Sequence, residues 1–466
     1  MNCIEIFAER QKEVKDNLAL WCPGQEKMSF GELYSLAARI QIELLKQGLR
    51  PEDPVLVFEG LSPRLYATIL ALLSTGATIL FVEPWMPLKK IEHVIQTAKP
   101  RFFLAGVVGK LWGLRVPAIR KIPNWISVNS LAKATKTGEL KIESVPGEVP
   151  GIITFTTGTT GKPKGVVRHQ SYLLEQYRVF SKSLSINDHS GPDLCIFANF
   201  ALANLAAGRG SLIIPSGWKK KHLKQLDHFS AKEKPETMTS GPAFLMRLME
   251  LGVARDLKSI HIGGALTDCA IFEKGFAHWP KTHWMHLYGS SEAEPVALAD
   301  AEEAVRKSRE KGLFQTLYLG KPISEVEARV EDKGLWITGP HVCPKYFANE
   351  DENRIHKHTD EKGRVWHAMG DRIEEDSSGW WYSGRAQQSR ADFTLEQNIY
   401  SHLQSSNAFL HRDKDKLIVY GKNLEKRKGE LLKAFPSLTD CFSAPIVRDR
   451  RHRARIDRVE SRKRAK

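Results

Sequence analysis

Apolar and polar residues recur at helical spacing from about residue 30 to residue 46. This run opens on Met28-Ser-Phe-Gly-Glu, where Ser29 is followed three residues later by Glu32. A hydroxyl and an acid at that spacing form a capping box, so a helix is predicted to start there. A short apolar run at 55–58 reads as a strand. Residues 65–82 are almost continuously apolar, but Ser74, Thr75 and Gly76 interrupt them and Glu83-Pro84 closes them. They are predicted to be a helix (63–73), a stop at Gly76 and a strand (77–82), rather than a membrane span. A helix at 87–97 and a strand at 101–104 follow. Strand–helix alternation with apolar strands implies a parallel sheet covered on both faces.

The alternation resumes further on. A strand is predicted at 151–155, a helix at 169–183, and strands at 194–197, 211–215 and 259–262. Short strands and turns then run from 313 to 336. Residues 384–385 mark a domain boundary, and the remainder alternates short strands and helices. The expected fold is α/β. A large region of mainly parallel sheets flanked by helices spans 1–384. A small α+β domain spans 385–466.

Between the strand at 151–155 and the helix at 169 lies Thr156-Thr-Gly-Thr-Thr-Gly-Lys-Pro-Lys-Gly165. Glycines let backbone N–H groups approach an anion, threonine hydroxyls donate hydrogen bonds, and lysine adds charge. The segment therefore reads as a phosphate cradle. It is not a Walker A loop, because neither Gly158 nor Gly161 begins the required spacing.

Thr156, Thr157, Gly158, Thr159, Thr160, Gly161, Pro163, Lys164 and Gly165 resemble the phosphate-binding signature of the adenylate-forming enzymes. That superfamily includes acyl-CoA synthetases, peptide-synthetase adenylation domains and luciferases. Further segments resemble its motifs in the same order. His286-Leu-Tyr-Gly-Ser-Ser-Glu292 offers Tyr288 as a face for adenine, Ser291 for phosphate and Glu292 as an oxygen ligand for Mg²⁺. Ile262-Gly-Gly-Ala265 resembles the turn lining the adenine through Gly264 and Ala265, with Gly263 beside the substrate. The resemblance places Asp371, of Met369-Gly-Asp, and Arg385, of Trp380-Trp-Tyr-Ser-Gly-Arg, on the ribose hydroxyls. It implies ATP and Mg²⁺ as cofactors, and Lys164, Glu292 and a tail cation as catalytic groups.

Three features resemble one branch, the olefin-pathway β-lactone synthetases. The segment from Phe197 to Gly208 is apolar where acyl-CoA synthetases carry a histidine, and Phe200 is expected in an acyl pocket. The segment after Arg385 lacks the K-x-x-G stretch that thioester-forming members turn toward the pantetheine arm. The tail Arg451-His-Arg-Ala-Arg-Ile resembles that branch's H-x-A-K-I motif, with Arg455 where lysine is expected. Arginine keeps the charge but has a planar head of different geometry. The resemblance implies activation of a fatty-acid-like carboxylate through an acyl-adenylate, with lactone closure from a β-hydroxy acid. An acyl-CoA or acyl-carrier-protein ligase and a nucleotide-binding homologue without turnover are the alternatives.

Charge and cysteines add less. The chain of 466 residues carries a net charge of +15. Residues 448–466 alone hold ten Lys/Arg against three Asp/Glu. Such a tail can bind nucleic acid or acidic lipid. Without an aromatic stacking platform, no nucleic-acid partner is expected, and the tail reads as a solvated end that helps hold an anionic substrate. The six cysteines are scattered, without zinc spacing. With no signal-peptide pattern and no transmembrane segment, a cytoplasmic protein is expected. Other lipid-pathway enzymes are its expected partners.

Overall fold

The structure is a computed structural model that describes residues 2–25, 27–133, 135–156, 162–215, 217–331, 334–448 and 456–465. The predicted elements appear with small shifts. Helix Phe30–Lys46 starts at the predicted capping box: the Glu32 N–H donates to Ser29 Oγ, and the Ser29 N–H donates to the Glu32 carboxylate. Helix Pro63–Thr75 ends at Gly76, whose φ of 76° is left-handed. The chain then enters strand Thr78–Val82. No helix among the described residues is long and apolar enough to cross a membrane.

Two large sheets carry the molecule. In the first, Pro150–Thr156, Thr78–Val82, Pro54–Phe58, Phe102–Ala105 and Asn124–Ser127 lie parallel in that spatial order. Strand Lys164–His169 runs antiparallel to Pro150–Thr156, and Tyr346–Phe347 pairs onto its outer side. The phosphate-loop sequence therefore joins two strands of a hairpin. The sequence pattern predicts only a loop between 155 and the helix, which is observed as Gln170–Ser183.

The second sheet has a parallel centre that includes Asp193–Cys195, Ser259–Ile262 and His283–Ser290. It continues antiparallel through Ala293–Asp300, Tyr318–Pro322, Gly379–Arg385 and Asp371–Asp376. The apolar stretch after Cys195 becomes helix Ala198–Ala206. The strand predicted at 194–197 thus ends two residues early.

Arg385 is the last residue of the large sheet on its strand. Beyond it, Ala408–Asp413, Lys416–Gly421 and Asp440–Ser443 form a separate three-stranded sheet. Helix Arg390–Leu403 and Phe314 share its core. All six cysteines are free thiols.

Candidate active site

The predicted residues converge on the ends of two hairpins. In the hairpin of His283–Ser290 with Ala293–Asp300, Ser291 and Glu292 form the turn at its tip. In the hairpin of Asp371–Asp376 with Gly379–Arg385, Asp371 and Arg385 face each other in register. Asp371 Oδ1 lies 2.7 Å from Arg385 Nη1, and Asp371 Oδ2 accepts from the Tyr288 hydroxyl at 2.8 Å. Three residues assigned to the nucleotide thus form one connected group. Burial and the Asp371 charge push the Tyr288 hydroxyl up, so it stays a donor.

A cavity of about 510 Å³ opens over this group, with Gly264, Ala265, Tyr288, Asp371 and Arg385 in its wall. Gly264 has φ +81°, a conformation costly for any residue with a Cβ, and the atom nearest to a built Cβ is 3.7 Å away. A Cβ at Gly263 would instead press on Leu287, 3.0 Å away. The far wall comes from residues beyond Arg385, including Tyr400, Arg448, Ile456 and Arg458. Arg458 is paired with Glu396 at 2.8 Å, and Arg448 donates to Asn407 Oδ1 at 2.7 Å. Part of the basic tail is therefore built into the site rather than left in solvent.

Glu292 sits at the bottom of a second cluster. It accepts from the Tyr346 hydroxyl at 2.8 Å. Burial pushes its carboxyl up, but the His367 ring, the Tyr346 hydroxyl and the Lys357 ammonium together hold it at about 2. It is an anion at any physiological pH. Lys357 is half-buried, donates to the Cys343 carbonyl at 2.5 Å and lies over the Tyr346 ring. Burial, opposed by the negative charge of Glu292, lowers its pKa. Burial and Lys357 bring His367 down to about 3.

An ionised carboxylate suits Mg²⁺, which commonly takes one or two carboxylates and fills its shell with phosphate oxygens and water. The site fits that mode. Among the described residues no group of three His, Cys, Asp or Glu would hold a metal unaided.

The loop itself is framed rather than described. Thr156 closes its first strand and pairs with Lys164 at the start of the second. Thr157, Gly158, Thr159, Thr160 and Gly161 lie outside the described residues, as does Arg455. Lys164 Nζ is 2.5 Å from Glu352 Oε2, and the two side chains are 15 % and 4 % exposed. A buried ion pair at the loop's foot fixes that foot. Lys162, at the outer end of the same loop, is 62 % exposed and 3.4 Å from Asp351.

A second cavity of about 380 Å³ is mostly apolar. Phe7, Leu65, Ile69, Leu174 and Leu202 line it, with Ser291, Glu294 and Arg168 at a polar end. Phe197 contributes to its wall. Phe200, one turn on, is buried against Phe180 with ring centroids 4.5 Å apart and shares a core with Leu287. Arg168 is buried, donates to Thr154 Oγ1 at 3.0 Å and to the Ser291 carbonyl at 2.8 Å, and forms no ion pair among the described residues.

Sequence reasoning missed Arg168, Tyr346, Glu352, Lys357 and His367. Tyr346 and Glu352 lie nearly two hundred residues beyond Lys164 and reach it through the pairing of Tyr346 with Val166. The one available signal was the density of His and Lys just before the Trp366–Asp371 motif.

The family model described as AMP-binding enzyme matches residues 7–347, most of the chain. The chain belongs to the AMP-binding enzyme family. The olefin beta-lactone synthetase of Xanthomonas campestris is 23 % identical over 430 residues, spanning 80 % of this chain and 76 % of that protein. A plipastatin synthase of Bacillus subtilis is 21 % identical over 75 % of this chain, which spans only 14 % of that relative's length. Other peptide-synthetase relatives are likewise far longer.

Among solved structures, an O-succinylbenzoate coenzyme A synthetase of Bacillus subtilis in complex with AMP superposes with a TM-score of 0.78. It is 16 % identical, with 96 % of each chain covered. A long-chain-fatty-acid-CoA ligase of Archaeoglobus fulgidus gives 0.72 at 18 % identity, covering 96 % of this chain and 97 % of that one. These likenesses establish the shared fold.

Proposed function

We propose that this chain joins ATP to a fatty-acid-like carboxylate and releases pyrophosphate, forming an acyl-adenylate. The observation that carries the reading is the meeting of two cavities at one turn. Tyr288 and Gly289 line the polar cavity, and Ser291 lines the apolar one. An acyl chain in the apolar cavity would present its carboxylate at the tip where the nucleotide's phosphates end. Asp371 and Arg385 would hold the ribose, and Gly264 would let the backbone approach the adenine. A carboxylate oxygen attacks the α-phosphorus and the bond to the leaving pyrophosphate breaks. The residues act by position and charge. Lys164, tied to Glu352, positions the loop. Glu292 would hold Mg²⁺, which supplies charge neutralisation on the phosphates.

If the acid carries a β-hydroxyl, that oxygen attacks the acyl carbon. Its proton is lost to solvent, AMP leaves, and a β-lactone forms. No thiol enters this sequence. Residues 385–466 form a small domain that turns about Arg385–Gln387 between steps.

The test is product analysis with β-hydroxy fatty acids, with and without CoA. The reading expects lactone and AMP at a rate that CoA does not raise. A CoA thioester as the main product would defeat lactone closure and leave adenylation standing. Arg455→Lys is expected to keep adenylation equal or faster, because a lysine ammonium fits as a point charge where guanidinium needs a planar slot. A slower variant would make Arg455 a working cation of its own slot. Absence of turnover in both forms with every acid would favour a nucleotide-binding protein without catalysis.

A further inference from the structure

The helix Val107–Gly113 is built inside out. Its inner face is made of Gly109, Trp112 and Gly113. Trp112 stacks on Phe58 with centroids 4.0 Å apart, and any Cβ at Gly109 would press on the Phe58 carbonyl. Its large aliphatic side chains point the other way. Val108 is 79 % exposed, Val107 61 %, Leu111 60 % and Leu114 56 %. A helix in a globular protein normally turns that stripe to the core. Contiguous exposed apolar surface of this kind marks an interaction site.

The charges carried by its own segment have one sign. Residues 106–122 contain Lys110, Arg115, Arg120 and Lys121 and no Asp or Glu. None of those four forms an ion pair among the described residues. Leu88, 51 % exposed, and Lys89 begin the helix Leu88–Ala98, which leaves the same edge of the parallel sheet two strands away. Exposed aliphatic groups ringed by unpaired cations complement a surface with a negative headgroup layer over a hydrocarbon interior. The backbone of Gly106, the residue preceding the helix, hydrogen-bonds to the Glu59 carboxylate, and Glu59 lines the apolar cavity.

We propose that this face docks on an anionic lipid bilayer, with Val107, Val108, Leu111 and Leu114 entering the acyl boundary and the four cations meeting headgroups. The inference rests on the surface alone. It stands or falls separately from the choice of acid.

The test is co-sedimentation of the full chain with vesicles of phosphatidylcholine mixed with phosphatidylglycerol, against vesicles of phosphatidylcholine alone. Binding is expected to the mixed vesicles only and to weaken with added salt. The double variant Val108→Asp/Leu111→Asp, with an unchanged melting temperature, is expected to lose roughly tenfold or more in partitioning. Neutralising Lys110, Arg115, Arg120 and Lys121 to Gln is expected to do the same. Neutralising Arg462, Lys463 and Arg464 in the tail is expected to leave binding in place. Three results would overturn the proposal. One is no binding to mixed vesicles. Another is equal binding by the helix variants, or loss only in the tail variant. The third is a dimer that Val108→Asp dissociates, with no lipid binding by either form.

Discussion

At the scale of single residues, the site depends on charges held in fixed states. Asp371 accepts from Tyr288 and pairs with Arg385, so both oxygens are oriented before any ligand arrives. Asp371→Ala removes a charged hydrogen-bond partner, a loss of about 1.5–3 kcal/mol, or roughly ten- to a hundredfold in ATP affinity. Titration calorimetry checks this, and unchanged affinity would take Asp371 out of the nucleotide site. Three buried imidazoles behave alike. Burial lowers His261 and His367 from 6.5 to about 3 and His286 to about 4. In the unfolded chain they take up protons near 6.5. Between about 4 and 6.5 the unfolded state therefore binds more protons, and stability rises with pH. Melting temperature is expected to fall as pH drops below 6.5. His261→Gln, at a ring that contacts Thr239 and Ser259, should flatten that fall. A pH-independent melting curve over this range would contradict the neutral, buried state of these rings.

At the scale of elements, legibility followed the locality of the signal. The capping box at Ser29, the Gly76 stop and the apolar strands were readable because each is decided by neighbours in sequence. Strand Lys164–His169 was not. Its Lys-Gly-Val-Val-Arg-His pattern is short, and it is made a strand by partners on both sides, one of them at Tyr346–Phe347. The same distance hid Glu352, Lys357 and His367 from the sequence reading. Antiparallel additions also make demands that no periodicity announces. In strand Tyr318–Pro322, Gly320 has φ +78°, and a Cβ there would collide with the Leu298 carbonyl oxygen. Gly320→Ala is expected to destabilise the chain well beyond the roughly 1 kcal/mol of an ordinary backbone penalty, because strand pairing itself must open. Chemical denaturation measures this, and a neutral outcome would mean that the strand can shift without cost.

At the scale of the molecule, two bodies of chain share one cavity. The C-terminal residues reach the large region through polar pairs, Gln397 to Gln315 at 3.1 Å and Ser406 to Asp268 at 2.8 Å, and through apolar packing of Phe393 on Tyr382 and of Phe314 in the small sheet's core. The order of motifs along the chain made the overall fold legible, and three of the residues proposed for the nucleotide, Tyr288, Asp371 and Arg385, meet in it. The apolar cavity was only half legible. Its location followed from the segment after Phe197, but its walls come from the N-terminal helix and three others that meet only in the folded state.

The central claim is adenylation of a fatty-acid-like acid where the two cavities meet. ATP–pyrophosphate exchange measures that step alone, across medium- and long-chain fatty acids, their β-hydroxy forms and amino acids. The account predicts exchange with the fatty and β-hydroxy acids that exceeds exchange with every amino acid and is lost in Asp371→Ala. Faster exchange with an amino acid, or none with any acid in folded protein that binds ATP, would contradict it.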